Sequence, residues 1–109
     1  MQYMLMICHD DSFTPEENLN GETTGWVQEM EGRGVRTSGD RLRPAGEAKT
    51  IRVRHGAVRL AHGPFARTEE QIAGYDLIEC ADMDEAIEVA TKHPMAKLGA
   101  IEVRQVWKS

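Results

Sequence analysis

The sequence predicts an α+β fold in one domain, on three observations. The chain has 109 residues, the size of one domain. Strand-like and helix-like patterns alternate along it. A pair of strictly alternating segments is inserted between two β-α-β units, giving the order β-α-β, hairpin, β-α-β.

Gln2 to Cys8 places apolar residues on both faces, as in a central strand covered on both sides. Thr14-Pro15-Glu16-Glu17 reads as a capped helix start. Asn20 and Gly21 interrupt that helix, which resumes toward Trp26, Val27 and Met30 on one face and ends at Gly32 and Gly34. Val35 to Leu42 is a short polar strand, and Pro44-Ala45-Gly46 is a loop.

Thr50 to Arg54 and Val58 to Leu60 alternate and are joined at His55-Gly56-Ala57 as a hairpin. This predicts Ile51, Val53, Val58 and Leu60 facing inward, with arginines outward. Thr68-Glu69-Glu70-Gln71 is expected to form one capped helical turn, and Gly74 to Cys80 a strand. Asp82-Met83-Asp84-Glu85 is a capping box that opens a helix to His93. Its expected buried stripe is Met83, Ala86, Ile87 and Ala90. Lys92 and His93 suit the negative end of that helix, and Pro94 stops it. Ile101 to Trp107 alternates as a last strand.

The whole pattern is ferredoxin-like: an antiparallel sheet with two helices on one face. The open face needs cover. Two sheets packed face to face, a dimeric α+β barrel, is the expected homodimer.

Composition narrows the function. The longest apolar stretch is too short to span a bilayer, and no signal-peptide pattern opens the chain, which implies a cytoplasmic protein away from membranes. Cys8 and Cys80 fall at opposite ends of adjacent strands and are expected as free thiols. No Cys/His spacing implies a metal, and no cofactor is expected. The net charge of −5 argues against direct nucleic-acid binding. Residues 1–32 nevertheless carry seven acids and no Lys or Arg, and residues 33–67 carry nine bases. That asymmetry fits an anionic partner or a sheet edge guarded by arginines.

In this topology the ends of the first two main strands and the start of the third share an edge, approached by Ala61 to Phe65. His9, Asp10, Asp40, His62 and Tyr75 are therefore candidates to converge. His62, on a Gly-Pro turn, suits acid-base work or carboxylate binding, or a hydrogen bond to a loop carbonyl. Asp10 and Asp40 orient it or cap turns. Tyr75 donates to a bound oxyanion or packs half-buried. His9 is a ligand contact or a strand-end residue. Arg52 and Arg54 can draw in an anionic ligand. His55 sits in the hairpin turn, and Met4, Met6, Trp26 and Met30 are core or dimer interface.

His62-Gly63-Pro64-Phe65-Ala66, Thr68 to Tyr75, Leu77-Ile78-Glu79, Asp84-Glu85-Ala86 and Leu98 to Arg104 together resemble the DGPF motif region of the YCII-related proteins, over nearly the whole chain. The resemblance implies the ferredoxin-like fold and the dimeric barrel. It also implies a catalytic His–Asp pair, with the His in the first helix and the Asp before a Pro after the second. Here no His lies between Glu16 and Arg33, His93 precedes Pro94, and His62 replaces the motif's Asp. Some DGPF-type proteins are linked to sigma factors through fused domains. Two functions follow as expectations. One is a small-molecule site near His62, with proton-transfer or lyase-type chemistry if catalytic. The other is a non-catalytic interaction module with a transcription-regulator partner.

Overall fold

Strand β1 (Gln2–His9) lies at the centre of the main sheet, in a computed structural model that describes residues 1–108. It alternates as the pleat demands. Tyr3, Leu5 and Ile7 are buried under the helices, while Met4, Met6 and Cys8 are half-buried on the opposite face. The chain continues through α1 (Leu19–Gly32), β2 (Arg36–Arg41), a 3-10 turn (Ala45–Glu47), β3 (Lys49–Arg54) and β4 (Ala57–His62). It then forms β5 (Gln71–Glu79), α2 (Met83–Thr91), α3 (Met95–Leu98) and β6 (Ala100–Gln105). The main sheet has the order β2-β5-β1-β6, and every neighbouring pair is antiparallel. The architecture is mixed α+β. No helix among the described residues is long and apolar enough to cross a membrane.

The core lies between β1, β5 and β6 and the helices. Leu5, Met30, Ile78 and Val89 are fully buried there, and each contributes roughly 2–3 kcal/mol of burial. Trp26 of α1 donates its indole N–H to the Val89 carbonyl of α2 at 3.0 Å, tying the two helices together. The capping box forms. Asp82 accepts from the Glu85 amide at 2.9 Å, and Glu85 reaches back to the Ala81 amide at 2.8 Å. Cys8 and Cys80 are free, at opposite ends of β1 and β5.

Several local expectations are corrected. Helix α1 starts at Leu19 rather than Thr14 and runs through Asn20 and Gly21 without a break. Phe13 is stacked on His9, ring centroids 4.4 Å apart, which holds the preceding segment across the strand end. Residues 68–71 form no helical turn, because the Gln71 side-chain amide donates to the carbonyls of Ala66 (2.7 Å) and Thr68 (2.8 Å). The buried stripe of α2 is Ala86, Val89 and Ala90, whereas Met83 and Ile87 stay largely exposed.

The largest correction concerns the hairpin. It pairs Ile51 with Leu60 and Val53 with Val58, with a turn at His55 (φ 52°) and Gly56 (φ 77°). Two positive φ values are what a two-residue turn with the right twist needs. The sheet stands apart from the main one, however, and its four aliphatic side chains remain 55–70% exposed. The arm accounts for the 48 × 41 × 18 Å extents and for a radius of gyration of 15.8 Å, where a sphere-like chain of this length has about 13 Å.

Candidate functional site

A cleft of about 850 Å3 opens over the helix face of the main sheet, at the end where β1 leaves and β5 enters. Ile7 and His9 of β1 and Ile72 to Asp76 of β5 form its floor. Leu19, Thr23 and Val27 of α1 form one wall, and Leu42 to Gly46 the other. Size and apolar walls are those of a small-molecule site.

An ion pair lies at the deep end. Asp76 shares the inward side of β5 with Gly74 and Ile78, so the strand's alternation aims a carboxylate where an aliphatic residue is usual. Arg36, at the start of β2, donates from Nε to Asp76 Oδ1 at 2.7 Å and from Nη2 to the Gly39 carbonyl at 3.0 Å. Gly39 leaves room for the pair. A Cβ there would lie 2.7 Å from Arg36 Nη2 and 2.6 Å from the Tyr75 carbonyl oxygen. Burial raises the Asp76 carboxyl above its ordinary value, and Arg36 pulls it only part of the way back. Its second oxygen, Oδ2, has no protein partner among the described residues and is not sealed from solvent.

His93 stands beside this pair. It is 5% exposed, meets the edge of Trp26 at 4.6 Å, and lines both this cleft and a smaller one of about 570 Å3 between α1 and α2–α3. Its Nδ1 accepts the Met95 amide N–H at 3.0 Å, at the start of α3. An accepting Nδ1 places the proton of the neutral ring on Nε2. Nε2 has no protein partner among the described residues. Burial, aided by the positive charge of Arg36, lowers the imidazole to about 4, so the ring is neutral at pH 7. The ring therefore stands between the two clefts, close enough to Arg36 to be affected by its charge.

His9 lies nearer the mouth with the opposite tautomer. Its Nδ1 is 3.0 Å from the Asp10 carbonyl oxygen, which only accepts, so Nδ1 carries the proton and Nε2 the lone pair.

The structure places His9, Asp40 and Tyr75, three of the residues singled out by sequence, along this one cleft, with the Tyr75 side chain on the opposite face of the sheet beside Met6. It does not bring the others there. Asp10 accepts from the Ser12 amide (2.9 Å) and hydroxyl (2.5 Å), which caps a turn and holds its carboxyl below the ordinary value. His62 is exposed at the end of β4, opposite Lys49 on the hairpin. Arg52 lies over the Phe65 ring at 5.5 Å, and Arg54 is exposed near the hairpin tip. His93 is not a helix-end cation but a buried neutral ring. Sequence reasoning missed Arg36, Asp76 and His93 as site residues. The one available signal was Asp76, an acid at the inward parity of an otherwise apolar strand.

The chain is 42% identical over 66 residues to an uncharacterised protein of Rhizobium meliloti (strain 1021). That stretch covers 59% of this chain and 53% of the relative, so the match spans about half the relative's length. The family model of the YCII-related domain matches residues 1–109, and the chain belongs to the YCII-related family.

Proposed function

We propose that the cleft binds a small organic molecule and moves a proton on it. One observation carries this reading: a buried carboxylate with a raised pKa and an open oxygen stands beside a neutral imidazole with an open N–H, under apolar walls. Asp76 Oδ2 takes and returns the proton. His93 Nε2–H steadies the oxygen on which charge develops, and Arg36 holds Asp76 in place. His9 contacts the ligand nearer the mouth, with Asp40 at the cleft's edge. His62 has no part in this reading, since it faces solvent on the arm.

Two copies assemble in the same proposal. The strand order β2-β5-β1-β6 supports a ferredoxin-like plan. Its half-covered face, with Met4, Met6, Tyr75 and Leu77, is suited to a second sheet in a dimeric α+β barrel. The exposed hairpin favours a second reading, in which its aliphatic and arginine faces meet a transcription regulator and the protein is not an enzyme.

A thermal-shift screen against ketones, phenols, quinones and acids separates these readings. A ligand at 100 times its Kd stabilises the fold by about 2.7 kcal/mol, several degrees in a domain of this size. The expected hit is lost in Thr23→Trp, which fills the cleft. Asp76→Asn is expected to keep binding but to lose deuterium uptake into the ligand from D2O. A library without hits, or a hit indifferent to Thr23→Trp, overturns the cleft reading.

A further inference from the structure

The charges and tautomers of the cleft define its ligand more closely, on the premise that the cleft is a small-molecule site. Its lining carries three guanidinium groups, Arg36, Arg41 and Arg43, and three carboxylates, Asp11, Asp40 and Asp76. Arg36 is held by Asp76 at 2.7 Å. Arg43 is held by Glu47 through two contacts of 2.9 and 3.2 Å. That leaves Arg41 against Asp11 and Asp40. No surplus of positive charge remains to offset the desolvation of a carboxylate ligand.

The two imidazoles then fix the polar ends. His93 offers a hydrogen at Nε2, because Met95 N–H occupies Nδ1. His9 offers a lone pair at Nε2, because its Nδ1–H is committed to the Asp10 carbonyl. Neither ring can exchange roles while its backbone partner is in place. The β1–β5 register sets Asp76 opposite Leu5, four residues short of His9. At about 3.3 Å per residue, His9 lies roughly 13 Å along the strand from the level of Asp76, room for a ligand of one ring and a short chain. Between them, Phe13, Leu19, Val27 and Ile72 offer only hydrocarbon and ring surface.

We propose that the ligand is an uncharged hydroxy-carbonyl compound with an apolar or aromatic body: its carbonyl oxygen accepts from His93 Nε2–H at the deep end, and its hydroxyl donates to His9 Nε2 at the mouth. The carbonyl places its acidic α C–H beside Asp76 Oδ2. Transfer of that proton to Oδ2 leaves the electron pair in an enolate, with its oxygen on the His93 N–H. Return of the proton to carbon restores the ketone, so no other reactant is consumed.

Calorimetry with three probes tests the assignment: 4-(4-hydroxyphenyl)butan-2-one, its analogue 4-phenylbutan-2-one, and 3-(4-hydroxyphenyl)propionate. The hydroxyketone is expected to bind about tenfold tighter than the analogue lacking the hydroxyl, the scale of one neutral hydrogen bond, and tighter than the carboxylate. His9→Asn keeps a donor to the Asp10 carbonyl, and its shorter side chain leaves no acceptor at the place of Nε2. It is expected to erase the preference for the hydroxyl while leaving 4-phenylbutan-2-one unchanged. His9→Gln serves as the second variant, and a Tm equal to the native protein's confirms that each is folded. Equal binding of the two ketones, a hydroxyl preference that survives in His9→Asn, or tightest binding of the propionate overturns this ligand assignment and leaves the cleft reading standing. No binding of any probe overturns both.

Discussion

His93 titrates far from its free value, and the consequence for stability is measurable. The imidazole lies at about 4 in the folded chain against 6.5 for a free histidine side chain. Between those values the unfolded chain binds a proton that the folded chain refuses. Stability from this residue is therefore complete above pH 6.5 and is lost as pH falls toward 4. A shift of this size corresponds to about 3 kcal/mol, of which about 2 kcal/mol is gone by pH 5. His93→Asn removes the titration but keeps an oxygen for the Met95 amide. Chemical denaturation of both proteins from pH 7 to pH 4 isolates the effect. Asp76 acts with the opposite sign: its raised carboxyl contributes stability below its unfolded value and loses it as pH rises through the folded one. That contribution is common to both proteins and cancels in the difference. The native protein is expected to lose about 2 kcal/mol more than the variant between pH 7 and pH 5. A pH-independent difference refutes the buried neutral imidazole, and with it the assigned tautomer.

Two further outcomes test the frame around the site. Gly39→Ala drives a methyl group into the Arg36–Asp76 pair, and denaturation is expected to show a loss of about 3 kcal/mol, the scale of breaking a buried ion pair; a loss below about 0.5 kcal/mol, the range of neutral surface changes, disproves the tight seat. Light scattering is expected to give a dimer mass for the native protein and a monomer mass for the double variant Met4→Asp, Leu77→Asp, which sets two charges directly opposite each other on the half-covered face of the sheet. A native monomer removes the proposed assembly, and a variant that stays dimeric removes that face from its interface.

The order of elements was legible because strong local signals mark them. Asp82 and Glu85 close a capping box that depends only on residues a few positions apart. The hairpin register follows from alternation and from the His55-Gly56 turn. The errors arise where tertiary contacts outweigh local pattern. Thr14-Pro15-Glu16-Glu17 has the chemistry of a helix start, yet the Phe13–His9 stack occupies the chain just before it and defers α1 to Leu19. On α2, Val89 rather than Met83 or Ile87 meets the core, because Trp26 sits over that turn. The site was the least legible part. Arg36 and Asp76 lie in strands whose pairing no local pattern fixes, and His93 looks like any basic residue at a helix end until Trp26 covers it. His62 stands out in the sequence for its Gly-Pro turn, a rigid backbone feature that serves the root of the hairpin.

That root has a consequence for how the chain can be altered. Gly63 N–H donates to the Ala48 carbonyl at 2.7 Å, and Thr50 Oγ1 to the Gly63 carbonyl at 2.9 Å, so the two stems of the arm are clasped where they leave the body. Distal to the clasp, β3 and β4 pair only with each other. Shortening the arm to a tight turn beyond Ala48 and Gly63 leaves the strands and helices that carry Arg36, Asp76 and His93 untouched. Sequence drift in the arm can retune what the protein touches without retuning what its cleft holds, so the two surfaces are free to diverge separately.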